Sequence, residues 1–292
     1  MRRCLSCGTL FRAEAHTQPC PGCGQAVAVL EGVSCYAPEL ARESSGFNPE
    51  GFAWLAQRES GHFWFRARSE LIAFVVRRYF PAARNFLEIG CGTGFVLSSL
   101  AQRFPNLAMS GSEIFIQGLG FAAQRMPDAD LFQMDARHIP FRNEFDLLGA
   151  FDVIEHIEED EAVLREIHAA VVPGGGAIFT VPQHPSLWSA QDEHACHKRR
   201  YRRGELEAKL QRAGFEVLFS TSFVSLLLPL LYLSRRKKRV GDELAIEDEM
   251  SVGTATNQIL YRLLQAEGAL IRAGLRFPAG GSRLVAARAK AN

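Results

Sequence analysis

The sequence predicts an α/β fold built around a mostly parallel sheet, and three observations support this prediction. From residue 86 onward, short apolar runs alternate with amphipathic segments, a pattern typical of strands joined by crossover helices. A glycine-rich turn directly follows the first of these runs, at residues 90–94. The chain has 292 residues and is 47% hydrophobic and 22% charged, which suits one large domain with a small additional module.

The first 30 residues contain two matching cysteine pairs of spacing C-x-x-C, each followed by a glycine. Four thiolates complete the tetrahedron that zinc prefers, and such a site leaves no open position for catalysis. The segment has too few apolar side chains to fold unaided, so metal binding would supply its folding energy. We therefore expect a structural zinc ribbon over residues 1–30, with a redox pair as the alternative. The expected ligands are Cys4, Cys7, Cys20 and Cys23.

Charge and cysteine usage limit the class of partner and the compartment. The formal net charge is +1, so no global field attracts the protein to nucleic acid. The first eight residues lack the apolar core of a signal peptide. Paired cysteines in this arrangement favour a metal site in a reducing compartment over disulfides. We expect a cytoplasmic protein.

A linker is predicted over residues 31–60, which contain Ser-Ser-Gly at 44–46 and Asn-Pro at 48–49. The sequence His-Phe-Trp-Phe-Arg-Ala-Arg at 62–68 then leads into an apolar-periodic helix that continues to Tyr79. Pro81 ends this helix.

Residues 86–94 read Phe-Leu-Glu-Ile-Gly-Cys-Gly-Thr-Gly and predict a strand, a glycine turn and the start of a helix. This construction lets a nucleotide-like ligand lie against bare backbone, because a Cβ would hold the ligand away. The spacing G-x-G-x-G differs from the dinucleotide pattern G-x-G-x-x-G, and no Lys-Ser/Thr pair follows as in a P-loop.

Further predicted strands end in acidic residues. The run at 107–113 ends in Glu113, about 20 residues after the glycines, as in nucleotide-binding folds. The run at 130–134 leads into Asp135, and the run at 145–151 leads into Asp152. Each acid alone also fits a solvated strand end or a helix cap, but their order together favours a ligand site.

The segment Leu-Glu-Ile-Gly-Cys-Gly-Thr-Gly resembles the first motif of the class I S-adenosylmethionine (SAM)-dependent methyltransferases, and the resemblance extends over roughly residues 60–290. It implies a domain over residues 61–292 with a Rossmann-like, seven-stranded, mostly parallel sheet. The last strand, near residues 284–287, would run antiparallel.

The resemblance also implies the SAM contacts. Glu88 would anchor the amino-acid end, Glu113 the ribose hydroxyls, and Asp135 with the Ala136 amide the adenine. In many small-molecule methyltransferases a segment like that at 62–68 forms part of a lid over SAM. In such a lid, Arg66 and Arg68 could reach the carboxylate of the ligand or an acidic substrate. The alternative is that the helix packs its aromatic side chains against the sheet edge. The full predicted SAM set is Glu88, Gly90, Cys91, Gly92, Gly94, Glu113, Asp135, Ala136 and Phe151.

His156 is a candidate general base, because an oxygen nucleophile must lose its proton and histidine suits this task near neutral pH. The segment Asp-Val-Ile-Glu-His at 152–156 resembles that of ubiquinone-biosynthesis O-methyltransferases, some of which bind a divalent metal there. Asp152 stands where those enzymes have glutamate. The alternative for His156 is a helix-start residue bonded to backbone.

The loop after the fifth predicted strand, residues 182–201, is long, polar and aromatic. Its spacing His-x-x-Arg-Tyr resembles a bacterial methyltransferase subgroup whose members tend to have glycine where Cys196 stands. We expect His197 and Tyr201 to contact substrate, and Arg200 and Lys198 to favour an anionic one. A solvated basic loop is the alternative.

The segment at 223–233 is strongly apolar and is followed by a basic run at 235–239 and an acidic stretch at 242–249. It is too short for an ordinary transmembrane helix, which needs about 20 residues. A peripheral membrane contact through 223–239, or an acyl-chain groove, is one interpretation, and a buried helix with a charged end is the other.

The favoured function is SAM-dependent O-methylation, or less strongly C-methylation, of a small or lipid-linked metabolite. An RNA methyltransferase whose ribbon grips RNA is an alternative. The near-neutral charge and the absence of an Asn/Asp-Pro-Pro-aromatic motif after the fourth strand argue against it. A catalytically idle SAM-binding scaffold is a third hypothesis.

Overall fold

The computed structural model describes residues 1–42, 51–237 and 252–290. The strands in these ranges are β1 Arg2–Arg3, β2 Leu10–Phe11, β3 Ala28–Leu30, β4 Val33–Cys35, β5 Asn85–Ile89, β6 Ala108–Glu113, β7 Asp130–Gln133, β8 Phe145–Phe151, β9 Val171–Pro182, β10 Phe215–Phe223 and β11 Ser282–Ala289. The α-helices are α1 Gly51–Arg58, α2 Phe63–Tyr79, α3 Phe95–Arg103, α4 Ile116–Arg125, α5 Asp160–Ala170, α6 Ala190–His194, α7 Glu205–Arg212, α8 Leu228–Lys237 and α9 Thr254–Arg272.

The main sheet of the described residues has nine strands in the order β10-β11-β9-β8-β5-β6-β7-β4-β3. β5 pairs in parallel with β6 and β8, whereas β11 runs antiparallel to both β9 and β10. The predicted α/β fold with an antiparallel last strand is therefore confirmed. Seven strands form the expected Rossmann-like sheet, and the β3–β4 hairpin extends it beyond β7.

Helices cover both faces of this sheet and bury its central strands. α5 and α7 lie on one face, with Ile167 and Leu206 in a buried cluster. α2, α3 and α9 lie on the other, with Ile72 and Leu97 in a second cluster. β8 is buried from Leu147 to its end, which explains why it reads as a nearly continuous apolar run.

The predicted linker over residues 31–60 is wrong for its described part. Val33–Cys35 forms β4, which pairs in parallel with β7, and Cys35 is buried. Gly51–Arg58 forms α1 and buries Phe52. These elements are short, and residues such as Cys35 and Phe52 are buried in them. The Ser-Ser-Gly and Asn-Pro sequences lie outside the described residues.

The cysteine-rich segment packs directly against the main domain. The Arg3 amide donates to the Pro140 carbonyl at 2.7 Å, and the His16 ring lies within hydrogen-bond distance of Tyr36 and Asp130, at 2.7 and 2.9 Å. These contacts tie residues 1–30 to the β7 edge of the sheet.

The apolar segment at 223–233 is divided between the end of β10 and the start of α8. Phe223 and Leu227 are buried, whereas Leu230 and Leu233 are 54% and 60% exposed. The buried-helix interpretation is therefore wrong for the outer face of α8. Side chains from 235 onward in the basic run, and the acidic stretch, lie outside the described residues. No helix in the described ranges is long and apolar enough to cross a membrane.

Candidate functional site: a glycine turn beside a histidine–carboxylate cluster

The glycine turn connects β5 to α3 and has the backbone conformation that its glycines predict. Gly90, Gly92 and Gly94 have φ angles of 66°, 53° and 75°, in the left-handed region. A Cβ on Gly90 would lie 2.5 Å from the Val153 side chain. The loop after β8 thus packs directly on this turn and brings Glu155 and His156 to the same edge of the sheet.

Glu113, at the end of β6, holds the turn through main-chain groups. Its carboxylate accepts hydrogen bonds from the Gly92 amide at 3.0 Å and the Ile114 amide at 2.8 Å. Burial raises the pKa of Glu113, while these N–H donors oppose the shift. The position matches the acid expected to hold two ribose hydroxyls.

Glu88, the next-to-last residue of β5, is a buried carboxylate beneath the same turn. Its Oε2 has no hydrogen-bond partner among the described residues. Burial raises its pKa to about 8, and the charges of Glu59 and Glu113 add to this effect while Arg68 opposes it. Glu88 is therefore largely protonated at neutral pH in the ligand-free chain.

α1 lies over the turn, a feature that the sequence analysis missed. The Phe52 ring lies 3.6 Å from the point that a Cβ on Gly92 would occupy, and 3.1 Å from the equivalent point on Gly118. Glu59 accepts hydrogen bonds from the Thr93 hydroxyl and from Arg125, the latter at 2.7 Å. The signal was the Gly-Phe-Ala-Trp-Leu sequence at 51–55, whose apolar side chains suit a short helix.

The remaining predicted SAM residues have mixed surroundings. Asp135 lies buried at the end of β7, but the Arg137 Nε lies 2.9 Å from its carboxylate. Ala136 is buried beside it. Phe151 belongs to the apolar core, and the Cys91 side chain packs in a small apolar cluster, so both side chains have packing roles.

The arginines of α2 face different surroundings. Arg68 forms a buried ion pair with Asp152 at the end of β8, and the Thr180 hydroxyl donates to the same carboxylate at 3.0 Å. Arg66 instead stacks over the Tyr261 ring of α9, with its Cζ 3.8 Å from the ring centroid. Eight of the 17 residues of α2 are buried, among them Phe65 and Arg68, which favours the packing interpretation of this helix over the lid interpretation.

The loop after β8 and the loop after β9 bring three candidate groups together. Ligand atoms of Glu155, His156 and His197 lie within 4.8 Å of one another. The rings of the two histidines have centroids 4.7 Å apart. Glu155 is fully buried, and neither of its carboxylate oxygens has a hydrogen-bond partner in the described part of the chain.

Asp192 orients His197 within this group. Its Oδ1 lies 2.8 Å from His197 Nδ1, while His197 Nε2 lies 4.0 Å from Glu155 Oε1. Burial alone would raise the pKa of Asp192, but the His197 hydrogen bond and the Arg200 guanidinium lower it to about 2. Asp192 therefore stays ionised and leaves His197 Nε2 pointing at the cluster.

His156 differs from His197 in its electrostatics. Burial, with a further contribution from the His197 charge, lowers the pKa of His156 to about 4. Its Nδ1 has no hydrogen-bond partner among the described residues. The ring is therefore neutral at physiological pH, with a nitrogen lone pair available.

Tyr201 does not occupy the substrate-facing position that the sequence predicted, and the charge of Arg200 is held in an ion pair. Tyr201 is fully buried, and its hydroxyl donates to Asp160 at 2.7 Å. Arg200 is buried, and its Nε donates to Asp192 at 2.7 Å. The same pattern of residue types is produced by structural ion pairs, so the spacing alone could not separate the two roles.

The four N-terminal cysteines form one cluster. The Sγ atoms of Cys4 and Cys23 are 3.7 Å apart, and those of Cys7 and Cys20 are 3.6 Å apart. A tetrahedron with metal–sulfur bonds of about 2.3 Å has sulfur–sulfur edges of about 3.8 Å. The cluster therefore has the dimensions of a four-sulfur metal site.

Comparison with known proteins identifies the family. A family described as "Methyltransferase domain" matches residues 55–219, more than half of the 292 residues. The chain belongs to the class I SAM-dependent methyltransferases. The resemblance found in the glycine turn is thereby confirmed.

Curated relatives cover only part of this methyltransferase. The dTDP-3-amino-3,6-dideoxy-alpha-D-glucopyranose N,N-dimethyltransferase of Streptomyces fradiae is 33% identical over 128 residues, which are 42% of this chain and 49% of the relative. The ubiquinone biosynthesis O-methyltransferase of Pseudomonas aeruginosa is 24% identical over 144 residues, 44% of this chain and 61% of the relative. The chain thus spans about half the length of the curated relatives it matches.

Solved structures show the same fold. Phosphoethanolamine N-methyltransferase 2 of Haemonchus contortus, in complex with S-adenosyl-L-methionine, superposes with a TM-score of 0.52 at 19% identity, covering 76% of this chain and 52% of that chain. The relatives include both O- and N-methyltransferases, so the family does not identify the acceptor atom of this methyltransferase.

Proposed function

We propose that this methyltransferase transfers the methyl group of SAM to an oxygen of a small or lipid-linked metabolite. The observation that supports the proposal best is the orientation of His197, whose Nδ1 is bonded to an ionised, buried Asp192 and whose Nε2 faces the loop beside the glycine turn. A histidine held in this way is suited to accept a proton from a hydroxyl.

The glycine turn, Glu88 and Glu113 are the proposed contacts of SAM. Glu113 would exchange part of its main-chain bonding for the ribose hydroxyls, and Glu88 would bind the cationic amino end. Asp135 and the Ala136 amide remain the proposed adenine contacts, although Arg137 shares the Asp135 carboxylate. Phe52 of α1 would cover the bound nucleoside and exclude water.

Methyl transfer from a sulfonium is an in-line displacement. Holding the nucleophile, methyl carbon and sulfur in line, and excluding water, supplies about 7–11 kcal/mol. In the proposed reaction the acceptor hydroxyl loses its proton to His197 Nε2 as the oxygen attacks the methyl carbon. The carbon–sulfur bond breaks, and the electron pair stays on the sulfur of S-adenosylhomocysteine.

As an alternative to a histidine base, the side chains of Glu155, His156 and His197 fit a divalent metal; His197 Nε2 would then be a ligand and not the base, because its Nδ1 is bonded to Asp192. The resemblance to ubiquinone-biosynthesis enzymes suggested Asp152, but that carboxylate is paired with Arg68. A buried carboxylate without partners is the kind of group that an ion satisfies. A metal bound there would act as a Lewis acid on the acceptor oxygen.

Binding of SAM is the first test of this proposal. Calorimetry with SAM and S-adenosylhomocysteine should show binding to the native chain. The Glu113→Ala variant should weaken binding by at least about tenfold, because each hydrogen bond to a carboxylate contributes about 1.5–3 kcal/mol. Glu216→Ala, an exposed glutamate of β10, is the matched control and should bind normally. Absence of binding in the native chain would contradict the proposal.

Turnover is the second part of the test. A metabolite screen that includes lipid extracts should reveal an acceptor through the production of S-adenosylhomocysteine. SAM binding without turnover on any extract would favour the scaffold hypothesis. Extract activity that is lost after ribonuclease treatment would favour the RNA hypothesis.

The cysteine cluster is proposed to bind structural zinc. The zinc content should approach one ion per chain and fall in Cys20→Ser, with loss of stability because metal binding supplies folding energy. Cys35→Ser, at a buried cysteine outside the cluster, should retain the zinc. Native protein that contains no zinc after preparation in zinc-supplemented medium would contradict the assignment.

A further inference from the structure

A pocket of about 710 Å³ lies beside the histidine–carboxylate cluster and outside the proposed SAM contacts. Its wall includes Trp188, Lys198 and the turn that leads into α7. The Lys198 amide donates to the Glu155 carbonyl at 2.7 Å, so the pocket begins one residue from His197. The main chain of the pocket wall is therefore joined directly to the segment that carries the proposed base.

The pocket wall carries five basic side chains and one acidic side chain, Glu205. Two of the five are neutralised locally: Arg199 pairs with Asp160, and Arg200 pairs with Asp192. The other three have no acidic group within 4.0 Å of their side-chain nitrogens in the part of the chain that the structure describes. These unpaired cations are Lys198, Arg202 and Arg203.

Glu205 does not neutralise this group. Its Oε2 accepts the Arg202 amide at 2.9 Å, and its Oε1 lies 3.5 Å from Lys209, outside the pocket wall. The wall therefore presents three cations whose charges are not matched by neighbours, a composition suited to an anion with more than one negative charge.

The local backbone adds to this charge. Gly204, with a φ of 79°, is the N-cap of α7 and has no side chain to cap that helix, while the Glu205 amide donates to the Arg202 carbonyl at 3.2 Å. The positive end of the helix dipole attracts anions, and arginine bonds phosphate oxygens in pairs. Trp188 supplies a half-buried aromatic surface in the pocket wall for the carbon skeleton of a ligand.

We infer that this pocket binds the phosphate or diphosphate group of the methyl acceptor, which makes the acceptor an organic phosphate. The inference rests on the proposed function, because the pocket is placed next to the proposed base. The phosphate can belong to a soluble ester or to a lipid headgroup. Tyr232 of α8 bonds Ser186, the residue after Pro185 of the pocket wall, at 2.9 Å, so α8 with its exposed leucines lies near the pocket and suits the lipid source.

Titration calorimetry with inorganic pyrophosphate tests the pocket without knowledge of the acceptor. The native chain should bind pyrophosphate, and the triple variant Lys198→Gln, Arg202→Gln, Arg203→Gln should bind it at least tenfold more weakly. The triple variant Arg12→Gln, Arg262→Gln, Arg288→Gln removes three exposed cations elsewhere and should bind within twofold of the native chain. SAM affinity should be unchanged in both variants.

Vesicle sedimentation distinguishes the two sources of phosphate. A lipid phosphate is identified if the native chain sediments with phosphatidylcholine vesicles that contain phosphatidic acid but not with vesicles of phosphatidylcholine alone. The triple variant of Lys198, Arg202 and Arg203 should then lose this sedimentation. Pyrophosphate binding without such retention identifies a soluble ester. No pyrophosphate binding, or equal weakening in the control variant, overturns the inference even if SAM binds. Failure of SAM binding with intact pyrophosphate binding overturns the proposed function alone.

Discussion

The cofactor half and the acceptor half of this methyltransferase are built in different ways. The cofactor half comprises β5, β6, β7 and the glycine turn, whereas the acceptor half comprises the loops after β8 and β9. In the cofactor half, Glu113 is held by amides of its own turn and of Gly92, 21 residues away. In the acceptor half, Arg68 reaches Asp152 across 84 residues. Main-chain bonding at short range leaves a motif in the sequence, and side-chain pairing at long range does not.

The two halves also treat their buried carboxylates differently. Glu113 is satisfied by main-chain donors, whereas both oxygens of Glu155 lack hydrogen-bond partners among the described residues. An unsatisfied buried carboxylate is costly, so it persists where a ligand, proton or metal completes it. In the cofactor half Glu88 Oε2 also lacks a partner among the described residues, so only the turn held by Glu113 is preformed, and both halves contain a buried carboxylate that a ligand would complete.

The largest expected effect lies in the acceptor half. His197→Ala removes the proposed base and should lower turnover about 10²–10⁴-fold, the usual contribution of general base catalysis. SAM affinity should stay within twofold of native, because no proposed SAM contact involves His197. Single-turnover kinetics with the acceptor from the screen, together with SAM calorimetry, would measure the two quantities.

Tyr201→Phe is the control for this prediction, since the sequence placed both residues at the substrate. The variant loses only the buried bond to Asp160 and should retain turnover at temperatures below its unfolding transition. Equal loss of turnover in both variants would mean that each substitution disrupts the structure of the loop after β9, and that His197 has no separate role as a base. Full turnover in His197→Ala would show that His197 is not the base.

The sequence predicted the cofactor half well because each of its features has a local physical signature. Glycines at left-handed positions, apolar runs and acids at strand ends are all visible in single segments, and they predicted β5 and β6. The SAM contacts of Glu88 and Glu113 come from the family resemblance and stay predictions. The antiparallel β11 was inferred by resemblance and not from its own residues.

The sequence could not separate structural from functional charges in the acceptor half. The residues His197, Arg200 and Tyr201 form one continuous pattern, yet only His197 faces the cluster, since Arg200 pairs with Asp192 and Tyr201 with Asp160. The partner of each side chain depends on how α5 and α6 pack, which no local signal encodes. For the same reason α1, with Phe52 over the glycine turn, was interpreted as a linker.

The cofactor half makes a prediction of intermediate size about pH. Because burial raises the pKa of Glu88 from 4.5 to about 8, the folded ligand-free chain holds a proton that the unfolded chain has lost. Its contribution to stability is fully present below pH 4.5 and is lost as the pH rises to about 8. Glu88→Gln should therefore flatten the fall in unfolding free energy over this window, measured by urea titration at several pH values.

The same group couples SAM binding to pH. If the cationic end of SAM binds ionised Glu88, binding releases a proton and the affinity should rise by up to about tenfold per unit as the pH rises toward 8. Calorimetry in buffers of different ionisation enthalpy would count the released proton. Glu88→Gln should bind SAM weakly, and its affinity should not change with pH. If its affinity changed with pH as much as that of the native chain, the released proton would come from a group other than Glu88.

The smallest expected effect returns to the acceptor half and concerns its backbone. Cys196 has a φ of 56°, in the left-handed region that favours glycine, and a side chain there costs about 1–2 kcal/mol. Cys196→Gly removes this strain but adds unfolded-state entropy of about 0.5–1 kcal/mol, so the net gain should be about 0.5–1 kcal/mol. Cys196→Ala removes the thiol and keeps the strain, and should give no gain. Chemical denaturation measures the unfolding free energies of the two variants. Equal unfolding free energies for Cys196→Gly and Cys196→Ala would show that the backbone at position 196, next to His197, is not in the left-handed conformation.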